Sequence, residues 1–258
     1  MHWILQENIF SEDGYNRLIE TLERFSISHS VHKVIPFIGD LEPEPKIDHK
    51  NVICMGSYSM RHYAKRHQYN PGVFDLEPFD FTVQRSHWGD HMLNFDSEIV
   101  QFQNIRLSEP KFIRPIEDSK VFAGSLFDPE EMQNWIQSVV ELGEDYGTSL
   151  MPETLVQVCS PKTIYAEYRF WIIRGEIITA SLYRRGNIVR YSSEVDDRFH
   201  LFVNDMIKMW QPHDAFVIDV CDTDDGIKIV EINTLNSAGF YAADIQKLVF
   251  SMEESFNL

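Results

Sequence analysis
The chain has 258 residues, enough for one large domain or two modest ones, and 43% of them are hydrophobic, which is ordinary for a protein with a real buried core. Twenty-three Lys and Arg against 40 Asp and Glu leave a formal net charge of -17. That balance argues against nucleic acid or an anionic membrane as the main partner, because neutralising phosphates needs basic patches. The first residues, "MHWILQENIF", show neither a basic leader nor a long apolar run, and no segment approaches the roughly 20 apolar residues that span a bilayer, so a cytoplasmic protein is expected. Cys54, Cys159 and Cys221 lie far apart without the spacing of a zinc site, and buried free thiols are expected.

In chain order, the N-terminal part mixes short strands and helices. "HWIL" reads as a strand, residues 13–25 as a helix, "VHKVIPF" and "NVICMG" as strands, and "SYSMRHYAKRHQ" as a helix. That order implies an α/β layer, with Ser57 or Ser59 as the cap of the last helix, whose free N–H groups could face an anion. Pro43, Pro45, Pro71 and Pro78 place loops near 40–50 and 70–80, and the "HWGDH" pair, His87 and His91, reads as loop rather than metal site. Further along, "PKFIRPI" is a strand and "EDSKVFAGSLF" a loop and strand. "DPEEMQNWIQSVVELG" is an amphipathic helix with Asp128 as cap, Pro129 at its first position and Glu130 and Glu131 complementing its dipole. "ETLVQVCS", "YAEYRFWIIRG", "EIITASLYRRG" and "NIVRYSS" are strands joined by Gly-containing turns, hence antiparallel, and after a helix near 196–210 come "AFVIDVC" and "IKIVEIN". The fold class expected is α+β with an α/β N-terminal part.

The last two strands carry the chemistry. With alternating faces, Ile227, Ile229, Glu231 and Asn233 share one side, and a three-residue turn, Asp224-Asp225-Gly226, would set Asp219 opposite Glu231. Two carboxylates in directly opposed positions repel, so a pair built among apolar neighbours needs a compensating cation or a proton. Two carboxylates and an amide oxygen are hard ligands suited to Mg²⁺, with Mn²⁺ as the other choice. Aligning Gly226 with the glycine of a calcium loop fails, since Cys221 and Ile232 would fall on the first and last ligand positions.

Taken in order, "FIRP", "DSKVFAG", "LVQV", "EYRFWIIRGEIITASLYR", "FVIDV" and "VEINTLNSAGFY" resemble the ATP-grasp superfamily, and within it the clade named for two arginines and a lysine. The resemblance implies a pre-ATP-grasp α/β domain over 1–108 and an ATP-grasp domain over 109–258, divided into a lid (109–157) and a metal-binding part (158–258). It implies ATP and Mg as cofactors, with Arg114 and Lys120 on the nucleotide phosphates. Gln157 and Val158 would meet adenine through their backbones, and Glu167 would lie near the ribose or adenine. Arg169 would reach toward phosphate or acyl-phosphate and Arg184 would support the transferred phosphoryl group, a cross-strand Glu–Arg pair being the other reading of Arg184. Asp219, Glu231 and Asn233 coincide with the metal ligands. Asn236 and Ser237 read equally as an anion-binding rim for a substrate carboxylate or as the start of the last helix. The activity implied is ATP-dependent activation of a carboxylate as an acyl-phosphate, followed by condensation with an amine of an amino acid or peptide. The alternative is a phosphotransferase, or a nucleotide-binding protein that ligates nothing, on the same fold.

Overall fold
The computed structural model describes residues 1–7, 13–117, 121–145 and 148–257. In chain order the elements are β1 (His2–Gln6), α1 (Asp13–Arg24), β2 (His29–Val34), β3 (Leu41–Glu42), β4 (Asn51–Met55), α2 (Met60–His67), β5 (Asn70–Gly72), α3 (Phe81–Trp88), β6 (Glu98–Gln101), β7 (Lys111–Pro115), β8 (Ser125–Phe127), α4 (Pro129–Leu142), β9 (Leu155–Cys159), β10 (Ile164–Ile173), β11 (Glu176–Arg185), β12 (Ile188–Ser192), α5 (Asp197–Met209), β13 (Ala215–Thr223), β14 (Gly226–Asn233) and α6 (Ile245–Phe256). Two compact units result, one of residues 1–76 with 164–258 and one of residues 77–163. Among the described residues, no helix is long and apolar enough to cross a membrane.

The first unit contains two five-stranded sheets. One has the order β3-β2-β1-β4-β5, parallel except for β3, and the other has the order β12-β11-β10-β13-β14, antiparallel throughout. A single core joins them. Trp3, Leu5, Ile53 and Met55 of the parallel sheet share it with Trp171, Ile173, Ala215 and Val217 of the antiparallel one, and Leu18 and Leu22 of α1 and Leu248, Val249 and Met252 of α6 complete it. The α/β N-terminal part therefore folds onto the C-terminal sheet, because neither apolar face can be left in water. Trp3 Nε1 donates to Glu253 Oε1 at 2.5 Å, tying β1 to α6.

Unit two is built on a four-stranded antiparallel sheet, β6-β9-β7-β8, whose core of Phe102, Ile113, Val156 and Leu150 takes Met132, Ile136 and Val139 of α4. Asp128 caps α4 by accepting from the backbone N–H of Glu130 at 3.0 Å, with Pro129 in the first turn.

Three local expectations change. Ser59 precedes α2 in a helical conformation and makes no side-chain cap; its hydroxyl instead meets that of Ser57 at 2.7 Å. The short strands β3 and β5 lie inside the stretches expected as loops. His87 is helical, in α3, and His91 ends a 3-10 turn over Gly89–His91. The three cysteines are free and buried, as their spacing implied.

Candidate active site
β13 and β14 form the hairpin that the sequence suggested, but by another route. The turn contains only Asp224 and Asp225, since Thr223 already pairs with Gly226, and this alone would put Asp219 out of step with Glu231. A bulge between Val220 and Asp219 on the ladder inserts Val230 and restores the register, so that Asp219 lies directly opposite Glu231. The bulge also corrects the expected face. Ile229 pairs with Val220 and turns away from the carboxylates, while Glu231 and Asn233 remain with Asp219 and Val217.

Asp219 is 1% exposed, and its compensating cation belongs to the protein. Arg169, its cross-strand partner on β10, donates from Nε to Oδ1 at 2.8 Å and from Nη2 to Oδ2 at 2.7 Å. This two-point contact is the strong geometry for a guanidinium and a carboxylate. Asn233 Nδ2 donates to Asp219 Oδ2 at 3.1 Å and to Glu231 Oε1 at 3.2 Å, so one amide bridges the opposed carboxylates. Burial pushes the Asp219 carboxyl up from the ordinary range, Arg169 pulls it back, and Glu231 and Glu167 add to the upward shift. Burial works against the Arg169 charge as well, yet the facing Asp219 outweighs it and raises the arginine's pKa.

A second layer surrounds this pair. Glu167 pairs with Arg184 across β10 and β11, with Oε1 3.4 Å from Arg184 Nη1, and its Oε2 accepts from the Tyr183 hydroxyl at 2.8 Å. Burial, then Asp219 and Glu167, raise the Tyr183 hydroxyl's pKa, so it stays a neutral donor. Tyr183 and Tyr241 do not stand out in the sequence, where no spacing rule marks them; both rings lie against the Arg169 guanidinium, with centroids 5.7 and 4.9 Å away.

Glu167, Arg169, Arg184, Asp219, Glu231 and Asn233 thus form one connected network in the first unit. No group of three or more His, Cys, Asp or Glu side chains able to hold a metal occurs among the described residues. Asp219, Glu231 and Asn233 bring together two carboxylates and an amide, the donor types that a hard divalent cation takes, and turning the Asn233 amide over would present its oxygen where its nitrogen now bridges the acids.

Asn236 is used differently. It is 2% exposed; Nδ2 donates to Cys54 O at 2.7 Å and Gly72 O at 3.2 Å, while Oδ1 accepts from Phe74 N at 2.8 Å and Thr234 Oγ1 at 3.2 Å. Both amide hydrogens and the amide oxygen are engaged, the Thr234 hydroxyl being shared with Phe74 O at 2.8 Å, and the side chain binds the end of β14 to β4 and β5. Its backbone oxygen also accepts from Gly56 N at 2.8 Å. Ser237, half-buried, ends a 3-10 turn over Leu235–Ser237, and the last helix starts only at Ile245, capped by Asp244.

In the second unit, Arg114 on β7 lies directly opposite Gln157 on β9. Gln157 is 2% exposed, and β9 runs between β6 and β7, so the backbones of Gln157 and Val158 face ladder strands on both sides. Lys120 lies outside the described residues.

The profile of the ATP-grasp domain, family 3 of the clade named for two arginines and a lysine, matches residues 51–252. No curated protein matches the chain. Among solved structures, it is similar to a D-alanine–D-alanine ligase from Bacillus anthracis complexed with ATP, at 13% identity and a TM-score of 0.64, covering 100% of this chain and 97% of that one. It is similar to a D-cycloserine synthetase at 9% identity and a TM-score of 0.62, with 98% of each chain covered. It is also similar to an L-amino acid ligase from Bacillus licheniformis at 10% identity and a TM-score of 0.61, covering 97% of this chain and 74% of that one. With the profile spanning most of its length, the chain belongs to the ATP-grasp domain family, in family 3 of the two-arginine, one-lysine clade.

Proposed function
We propose that the protein is an ATP- and Mg-dependent ligase that activates a substrate carboxylate as an acyl-phosphate and condenses it with the amine of an amino acid or peptide. The observation that carries this reading is the register that sets Asp219 opposite Glu231, with Asn233 between them and Arg169 clamped to Asp219, in a chain of the ATP-grasp family. The ligase names of the similar structures support it.

Asp219, Glu231 and Asn233 would hold the metal, which when bound supplies positive charge beside the nucleotide phosphates. The rest is positioning by the chain's own residues. Of the five N–H groups of Arg169, its contacts with Asp219 and with Gly239 O at 3.4 Å engage three among the described residues. In this reading the remaining pair takes the γ-phosphoryl group while the other edge stays on Asp219. Arg184, half-exposed and steadied by Glu167, supports the same group from β11. A carboxylate oxygen attacks the γ-phosphorus and ADP leaves; the amine nitrogen then attacks the acyl carbon and phosphate leaves with the former carboxylate oxygen.

Arg114 and Lys120 are assigned to the nucleotide phosphates and Glu167 to the ribose or adenine side. Since Gln157 and Val158 lie within ladders, we place the backbone contact with adenine at the exit of β9, past the last β6 pair at Val158. Ser237 is retained on the substrate side, and Asn236 is assigned to holding the loop. By role, 1–108 is assigned to the pre-ATP-grasp part, 109–157 to the lid and 158–258 to the metal-binding part.

The test is incubation with ATP, Mg²⁺ and a mixture of amino acids. Release of ADP and phosphate together with a condensed product supports the ligase. A phosphorylated product without condensation makes the protein a kinase, and failure to bind nucleotide removes both readings.

A further inference from the structure
The segment after β14 contains a backbone feature that the reaction as described leaves unused. Tyr241 has a φ of 50°. A bulky aromatic residue in the left-handed region is disfavoured and persists only where its surroundings impose it. Three hydrogen bonds do so. Arg17 Nη2 donates to Tyr241 O at 2.8 Å, Ala242 N donates to Ser181 Oγ at 3.1 Å, and Asp244 N donates to Thr179 Oγ1 at 2.9 Å. Ser181 and Thr179 are both on β11, so the segment is fastened along the strand that carries Tyr183 and Arg184.

The enforced backbone aims the ring. Tyr241 stacks on Tyr183 with centroids 5.1 Å apart and planes 24° apart, and on Tyr191 at 5.0 Å and 28°. Its centroid lies 4.9 Å from the guanidinium carbon of Arg169. Tyr183 faces the same guanidinium at 5.7 Å and is itself pinned by its hydrogen bond to Glu167. A guanidinium on a long flexible stem has many rotamers, and an aromatic face on it selects among them.

We propose that Tyr241 is a positioning residue: its ring, backed by Tyr183, fixes the Arg169 guanidinium so that one edge grips Asp219 and the other stays presented to the group being transferred. The second half rests on the role proposed above for Arg169; the first half stands without it. In this proposal the role falls to the ring rather than to the hydroxyl.

Two substitutions separate these parts. Tyr241→Phe keeps the ring, and Tyr241→Asn removes it with a residue that tolerates the left-handed backbone. The first measurement is the ¹H–¹⁵N spectrum of the arginine side chains, with the Arg169 Nε–H line identified by its absence in Arg169→Lys. It should be ring-shifted and slow to exchange in the parent and in Tyr241→Phe, and should move towards the exposed arginines in Tyr241→Asn. The second is turnover with ATP, Mg²⁺ and amino acids. Tyr241→Phe should stay within about twofold, whereas Tyr241→Asn should lose on the order of tenfold to a hundredfold in kcat with its KM for ATP little changed. An unchanged Arg169 line in Tyr241→Asn overturns the proposal, as does a kcat within about twofold of the parent, or an equal loss in Tyr241→Phe. Should the parent protein show no ligation at all, the ligase reading fails, and the spectrum alone decides whether the ring fixes Arg169.

Discussion

Asp219 and Arg169 are both buried, with side chains 2% and 9% exposed, and meet by two hydrogen bonds. Breaking such a pair is costlier than never having built it, because the survivor keeps its charge without a partner. Asp219→Asn should therefore lose about 3–5 kcal/mol of stability by urea denaturation. Combining Asp219→Leu with Arg169→Met should recover most of that loss; a double variant as unstable as Asp219→Asn would contradict the pairing. Asn236 makes a contrasting case. Replacing it with Ala leaves the backbone groups of Cys54, Gly72 and Phe74 without their amide partner, and each buried unsatisfied group costs about 1–3 kcal/mol. The expected result is a large fall in melting temperature, and unchanged stability with a raised substrate KM would instead restore Asn236 to the substrate side.

Histidine chemistry gives a third residue-level prediction. His2 bonds Ser28 Oγ at 2.7 Å and Ser30 Oγ at 2.9 Å, and Ser30 Oγ also meets His32 Nε2 at 2.8 Å. Burial, followed by neighbouring His49, His29, His32 and the N-terminus, lowers the His2 pKa. A histidine whose folded pKa is depressed is more protonated in the unfolded chain, so its contribution is present above the unfolded pKa of about 6.5 and lost as pH falls from there towards the lowered folded value. Denaturation at pH 7.5 and 5.5 should show the parent weaker at the lower pH, and His2→Asn should show a smaller difference. Equal pH dependence in the two proteins would remove His2 as a cause.

At the scale of elements, the site depends on a ladder whose irregularity matters. A two-residue turn and a bulge at Val230 give the pairing that a three-residue turn without a bulge would give, which is why sequence matches Asp219 with Glu231 correctly while simple alternation puts Ile229 on the wrong face. Alternation is legible in a sequence; a bulge, set by twist and packing, is not. Caps divide in the same way. Asp128 is followed by a proline and two acids and does cap α4, whereas Ser59 had the right residue type but a helical backbone. Asp128→Ala should cost about 1 kcal/mol, measured as a shift in the urea midpoint, while Ser59→Ala should change it far less. The converse order would mean that α4 does not need its cap.

Across the whole molecule, the succession of strands and helices, the antiparallel C-terminal sheet and the position of the acidic hairpin were readable because local periodicity and turn residues encode them. The joining of residues 1–76 with 164–258 in one compact unit, and the saturation of Asn236 by Cys54, Gly72 and Phe74, were not, because each depends on contacts more than 150 residues apart along the chain. Separation along the chain also hid the Tyr183–Tyr241 clamp, whose two rings belong to different segments.

Whether a carboxylate is activated through its own oxygen decides the proposed function. The most direct measurement uses amino acids carrying a heavy oxygen isotope in their carboxylates, with ATP and Mg²⁺, and determines the isotope content of the released phosphate by mass spectrometry. Acyl-phosphate chemistry predicts one labelled oxygen in each phosphate released with condensed product. Unlabelled phosphate released in step with condensed product would contradict it.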